Sequence, residues 1–161
     1  MAVDPDQLRV AMRKWASGVT VVAASYQGVQ HGMTVNSFAS VSLEPPTVLV
    51  SLSRDSRTHA LVLKSGAFAI TFLTSDQQEI SERFAGRTPD DEDRFDGLTS
   101  YVLTTGSPVL DGGLASLDCR VIDTHESGTN TLIIGEVVAS QSTEESLPLL
   151  YFDRHYRKMQ E

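Results

Sequence analysis

Cysteine is nearly absent from the chain: Cys119 is the only one in 161 residues. That excludes an intramolecular disulfide framework and a multi-cysteine zinc site. Basic residues are outnumbered, 13 Lys+Arg against 21 Asp+Glu, for a net charge of -8. No basic stripe with interleaved aromatics offsets that field, so a nucleic-acid partner is not expected. A few local donors can still hold one small anion against it. No apolar run approaches the ~20 residues that a membrane span needs, so no membrane partner is expected. The opening MAVDPDQLRV carries acids before any base and has no apolar h-region. A secretory signal is therefore not expected, and the reading is one soluble, cytoplasmic domain over 1–161. Phosphate-cradling G-x-G-x-x-G and G-x-x-x-x-G-K-[ST] motifs, H-E-x-x-H and G-x-S-x-G are all missing.

What is there is a series of short β-rich runs. A helix is expected over 4–16, with Asp4 as cap, Pro5 in the first turn and Leu8, Met12 and Trp15 on one stripe. TVVAASY (20–26) reads as a strand, Gln27-Gly28 as a turn, and the extended pattern resumes through 41. Pro45-Pro46 forbids helix, and TVLVSLS (47–53) has the look of a buried strand. A short helix is expected over 56–64 and a strand over 67–73. Ser75 with Gln78 resembles a capping box opening a helix over 76–85. GRTPDDEDRFDG (86–97) reads as an exposed loop, followed by strands near 99–104, 114–124 and 130–140. Many short strands without regularly alternating helices predict a small, mainly β barrel rather than a doubly wound sheet.

Chemistry-bearing residues are sparse. Histidines 31, 59, 125 and 155 share no metal-ligand spacing and read as surface or capping residues, so no metal is expected. Cys119 lies in an apolar strand pattern and reads as a small core residue. Two stretches concentrate hydroxyl and amide groups: HGMTVNSFASVSLEPP (31–46) and SLSRDSRTH (51–59). The bland readings are a polar-faced strand, with Thr34, Asn36 and Phe38 on one side, and ordinary capping of a helix by Ser53, Asp55 or Ser56. The functional reading joins them in one site. An extended TVNS segment would meet a flat heteroaromatic edge, while a helix start with Arg54 or Arg57 nearby would hold a phosphate.

At these residues the sequence resembles the flavin reductase-like proteins, the small reductase components of two-component flavin-dependent monooxygenases. The resemblance is carried above all by HGMTVNSFASVSLEPPTVLVSLSRDSRTH (31–59). SGVTVVAAS (17–25), SGAFAITFLTSDQQEISERFAG (65–86), DRF (93–95), LDCRV (117–121), TLIIGEVV (131–138) and PLLYFDRHYRKM (148–159) follow the family in order. It implies an FMN-binding split β-barrel, a Greek-key antiparallel barrel with a few short helices. The barrel usually works as a homodimer with flavin near the subunit interface. By that likeness Thr34, Val35, Asn36 and Ser37 would lie along the isoalloxazine, with Ser40 near its polar edge. Ser51, Leu52 and Ser53 would pass beneath the ribityl chain, and Ser56 and Thr58 would face the phosphate. Arg83 and Phe84 would close over the phosphate or ring, and Tyr156 would flank the pocket.

The implied activity is an NAD(P)H:flavin oxidoreductase. A nicotinamide from NADH or NADPH would stack on FMN or FAD and pass hydride to it, and the reduced flavin would leave for a separate oxygenase component. Direct hydride transfer needs no acid–base dyad, so no catalytic side chain is expected. One departure stands out: where the family commonly carries Gly-Asp-His, a signature associated with nicotinamide binding, this chain has Gly128, Thr129 and Asn130. Asparagine hydrogen-bonds but cannot carry positive charge, and His125 lies nearby in sequence. The alternatives are a split-barrel oxidase or oxygenase with retained flavin, a non-catalytic flavin-binding protein, and a barrel that binds no ligand.

Overall fold

The computed structural model describes residues 1–144 and 146–160. Helix α1 (Pro5–Met12) precedes strands β1 (Ser17–Gly18), β2 (Thr20–Tyr26), β3 (Val29–Val35), β4 (Phe38–Leu43) and β5 (Pro46–Ser53). Helix α2 (Arg57–Ser65) leads into β6 (Ala67–Phe72), and helix α3 (Gln78–Glu82) runs into a wide π-type turn over Arg83–Arg87. Then come β7 (Ser100–Val102), β8 (Pro108–Leu110), β9 (Ala115–Ser127), β10 (Asn130–Ser142), β11 (Leu149–Phe152) and β12 (His155–Lys158).

Seven strands pair antiparallel in the order β3-β2-β6-β9-β10-β5-β4. Its two end strands, β3 and β4, are joined by only Asn36 and Ser37. Three peptide units reach at most ~10 Å. Laid flat, the same sheet would hold its edges ~29 Å apart, six spacings of ~4.8 Å. The sheet therefore rolls up until its edges nearly meet, as the split-barrel expectation requires, and among the described residues no ladder joins β3 to β4.

Strand β2 is buried on both faces, which explains its unbroken apolar run. Val22 and Ala24 point into the barrel with Val48, Val50, Leu52, Phe68 and Ile133. Val21 and Ala23 point outward into a second cluster with Phe84, Phe95, Leu110 and Leu149. Helix α2 begins at Ser56, whose Oγ accepts from the His59 N–H at 3.1 Å. It stops at Gly66, whose φ of 69° suits a residue without a Cβ.

Several expectations shift. Helix α1 covers only Pro5–Met12, and it buries none of its residues. Leu8, Met12 and Trp15 are all exposed, so their helical spacing marks an outward face. The strand expected through 41 breaks at Asn36-Ser37. The capping-box expectation fails, because α3 starts after Gln77, whose Oε1 instead accepts from the Thr74 N–H at 2.9 Å. The 86–97 loop is not wholly exposed, since Arg94 and Phe95 are buried. His31 and His59 are buried rather than on the surface. Strand β8, which opens on a proline, has no counterpart among the expected strands. No helix among the described residues is long and apolar enough to cross a membrane.

Candidate functional site

The split between β3 and β4 gathers polar residues from distant parts of the chain. Ser37 donates through Oγ to the Ser51 carbonyl at 2.7 Å, and the Ser51 N–H donates to the Ser37 carbonyl at 3.1 Å. Strand β10 lies on the other side of β5, with Asn130 opposite Ser53 and Leu132 opposite Ser51. The Asn130 amide donates to Ser51 Oγ at 3.0 Å. Directly opposed residues share a sheet face. Ser51, Ser53 and Asn130 thus form one strip on the outer face, while Leu52 between the serines points into the core. The strip ends at α2, where Ser56 donates through Oγ to the Ser53 carbonyl at 2.8 Å.

Asn36 sits at the opening of the split, exposed, and its amide makes no hydrogen bond to any described residue. Three cavities meet at this residue. One, of about 520 Å³, lies under α1 and is walled by Met12, Trp15 and Tyr151. A second, of about 380 Å³, is walled by Trp15, Phe38 and Phe72, the last two edge-to-face with centroids 5.2 Å apart. Ser17 also lines it, and its Oγ is buried without a hydrogen-bond partner. The third, of about 190 Å³, is lined by Thr34, Ser81, Ala85 and Tyr156. Its polar groups are mutually tied: Thr34 Oγ1 donates to the Ser81 carbonyl at 2.6 Å, and Ser81 Oγ bonds Tyr156 Oη at 2.8 Å.

A fourth cavity, of about 270 Å³, adjoins the third through Thr34 and Ala85 and reaches Ser56, His31 and Arg94. Burial, then the Arg94 guanidinium, pushes the His31 pKa down to about 4, so its ring is neutral at pH 7. Its Nδ1 is 2.8 Å from Thr58 Oγ1. Arg94 is buried with its guanidinium on three carbonyls, those of Thr88, Gly32 and Phe84. It also pairs with Asp90. Burial, followed by the Arg54 charge, lowers the pKa of His59, which meets Thr131 Oγ1 at 2.9 Å. Burial, then Asp118, raises the Cys119 thiol to about 12, so at pH 7 it is a core group and not a nucleophile.

The expected site residues do not all meet in one place. Ser37, Ser51, Ser53, Ser56 and Asn130 come together along the strip, with Asn36 next to Ser37 at the opening of the split. The side chains of Val35, Leu52, Thr58 and Phe84 are buried, so these positions offer a ligand mainly backbone. Phe84 packs edge-to-face on Phe95 with centroids 5.0 Å apart, and Arg83 donates to the Asp96 carbonyl at 2.7 Å. Ser40 is exposed opposite Val48, on the other face from Ser51. His125 lies opposite Leu132, on the same face as Asn130 and one diagonal step away. Sequence reasoning missed His31, Arg94 and Trp15 as site-lining residues. Of these, the DRF run marked Arg94 and the first position of the 31–59 motif marked His31, whereas nothing local marked Trp15.

The donor set suits a flavin. Hydroxyls and amides run the length of the strip, an unbonded amide stands at one end, and the positive end of α2 stands at the other. Among the described residues no group of three His, Cys, Asp or Glu side chains is placed to hold a metal ion.

Comparison with known proteins bears on the same residues. The family described as "Flavin reductase like domain" matches residues 12–160. The chain is 41% identical over 156 residues to FMN reductase (NADH) RutF 2 of Methylorubrum extorquens, covering 97% of this chain and 90% of that protein. It is 35% identical over 155 residues to HsaB, the reductase subunit of a flavin-dependent monooxygenase of Rhodococcus jostii, covering 96% of this chain and 78% of the relative. Among solved structures it is similar to the Streptomyces globisporus NADH:FAD oxidoreductase SgcE6 in complex with NAD and FAD fragments. That match has a TM-score of 0.89 at 30% identity, over 99% of this chain and 97% of the other.

Proposed function

The chain belongs to the flavin reductase-like family, and from that membership we propose that it is an NADH-dependent flavin reductase. It would supply reduced flavin to a separate oxygenase component and act in the cytoplasm as one domain over 1–161. The observation that carries the reading is the convergence of Ser37, Ser51 and Asn130, from the β3–β4 link, β5 and β10, on one strip that ends at Ser56 and has Asn36 next to Ser37 at the split. Bound flavin supplies the redox chemistry, accepting a hydride equivalent from the nicotinamide.

The protein's part is to bind, orient and keep water out. Asn36 offers an amide donor and acceptor to a ring edge, and Ser51 holds its hydroxyl in place through Asn130. Ser53 and the α2 N-terminus receive the polar tail. The contacts of Asn36 and Ser51 are neutral hydrogen bonds, worth about 0.5–1.5 kcal/mol net each, which suits a flavin that must leave. The strip is open on its outer side, and α1 presents an uncovered apolar face with Trp15 66% exposed. A second copy of the chain in a homodimer would cover both, giving the ring a dry environment that one 161-residue subunit does not enclose.

FMN is the favoured flavin and NADH the favoured donor, as in the RutF relative's name. Steady-state oxidation of NADH and NADPH with FMN and FAD tests the assignment, with sedimentation for the dimer. Turnover at the free-flavin background in all four combinations overturns it. A flavin that copurifies and is not reduced by either nicotinamide would favour the oxidase reading.

A further inference from the structure

The cavity at the start of α2 contains an arrangement that neither the barrel nor the polar strip requires. His31 is 2% exposed, and its Nε2 is buried with no hydrogen-bond partner among the described residues. The Thr58 hydroxyl lies 2.8 Å from Nδ1, and the ring proton is assigned to Nε2 because a carboxylate oxygen faces that nitrogen, which leaves the hydroxyl to donate to Nδ1. Asp90 Oδ1 lies 3.5 Å from Nε2, too far for a good bond. The same oxygen takes a 2.7 Å bond from Arg94 Nη2, and Arg94 is only 6% exposed. Asp90 itself is more than half exposed and sits on the 86–97 loop. That loop is tied to α2 by Arg57 Nη1, which donates to the Asp90 carbonyl at 2.6 Å. An exposed loop carboxylate thus reaches inward to the point where a buried N–H, a buried guanidinium and the Ser56 end of a nine-residue helix converge.

We propose that Asp90 is a built-in competitor at the phosphate position that the family resemblance places beside Ser56: its carboxylate holds the buried donors there until the ligand's phosphate displaces it. His31 Nε2, Arg94 and the α2 N-terminus are the donors, and Asp90 sets the subsite's affinity by competing for them. The flavin phosphate is the natural source, since Ser56 lines the cavity and also ends the strip. That identification rests on the flavin reductase reading, whereas the subsite stands without it. A nicotinamide dinucleotide carries the same chemistry.

The test compares wild type, Asp90→Asn and Asp91→Asn. Asparagine at 90 keeps an oxygen for Arg94 and removes the competing charge, and Asp91→Asn removes an equal charge from the next residue as control. In fluorescence titrations, Asp90→Asn is expected to bind FMN roughly five- to tenfold tighter, with riboflavin and the Asp91→Asn variant within about twofold of wild type. NADH titrated against reduced nicotinamide riboside distinguishes the second source. If the gain appears there and not with FMN over riboflavin, the subsite holds and its ligand is the dinucleotide. A wild type that binds no flavin overturns the flavin assignment, and the subsite is then read with inorganic phosphate against chloride at equal ionic strength. Phosphate should raise the melting temperature of Asp90→Asn more than that of wild type and shift the His31 Nε2 resonance. Unchanged ratios for both ligand pairs, an equal effect of Asp91→Asn, or no phosphate-specific shift in either variant overturns the proposal.

Discussion

Replacing Gly32 by alanine separates close packing from ordinary strand preference. Gly32 lies on β3 opposite Ala23. A Cβ there would come within 2.9 and 3.0 Å of two Phe84 ring carbons and 3.2 Å of the Val22 carbonyl oxygen. Phe84 cannot readily yield, because it is buried and held edge-to-face against Phe95. At an unobstructed strand position, Gly→Ala stabilises by about 0.5–1 kcal/mol through lost chain entropy in the unfolded state. Overpacking a tight site costs about 1–3 kcal/mol. Overpacking wins, for a net loss of roughly 1–2 kcal/mol. For a chain of this size that lowers the melting temperature by roughly 2–8 °C. The turn carrying Phe84 also carries Ala85, which lines two of the cavities, so FMN affinity should fall several-fold as well. Thermal melting and FMN titration measure both effects. Gly18→Ala, on strand β1 with nothing within 4 Å of the added carbon, is the control and should melt roughly 1–4 °C above wild type. A Gly32→Ala protein that melts at or above the wild-type temperature would refute the claim that Phe84 is clamped against β3.

Asn36→Leu should weaken FMN binding by about 1–3 kcal/mol if the amide pairs a buried ring group; an unchanged titration removes Asn36 from the site. Asn130→His removes the 3.0 Å bond to Ser51 and puts an imidazole where the family commonly has one, so FMN affinity should fall about fivefold while NADH turnover rises. Turnover that stays level or drops would mean the pocket is built around asparagine. His31 predicts an acid limb of stability. Its folded pKa of about 4 lies below the unfolded 6.5, so the unfolded chain binds the extra proton. Stability from this residue is full above pH 6.5 and falls as the pH drops toward 4, by on the order of 3 kcal/mol. Urea unfolding of wild type and His31→Gln between pH 7.5 and 4 checks it, and parallel curves would contradict it.

Much of the barrel was legible because its strands are apolar runs between turn residues. Strands at 20–26, 47–53, 67–73 and 130–140 each emerged within a few residues of the observed bounds. The misses share a cause: a local pattern cannot say which face a neighbour will cover. Leu8, Met12 and Trp15 have the spacing of a buried stripe, yet no residue of α1 is buried among the described residues. GRTPDDEDRFDG is polar enough to read as exposed, but Arg94 finds three carbonyl acceptors in the fold and goes inside. Thr58 and Phe84 sit in motif positions, and their burial depends on His31, 27 residues before Thr58, and on Phe95. The strip was anticipated as two clusters joined in one site, without the contacts that join them. What joins them is the two-residue link at Asn36-Ser37, which draws the sheet edges together, and Asn130, which reaches Ser51 from 79 residues away.

The central claim is that this strip binds flavin so that a nicotinamide can reduce it. The most direct measurement mixes the purified protein with FMN and NADH without oxygen and follows the flavin absorbance near 450 nm. Bleaching far faster than with free FMN and NADH, lost or greatly slowed in Asn36→Leu, is the predicted result. Absorbance that decays no faster than the protein-free mixture, with NADH or with NADPH, would contradict the account.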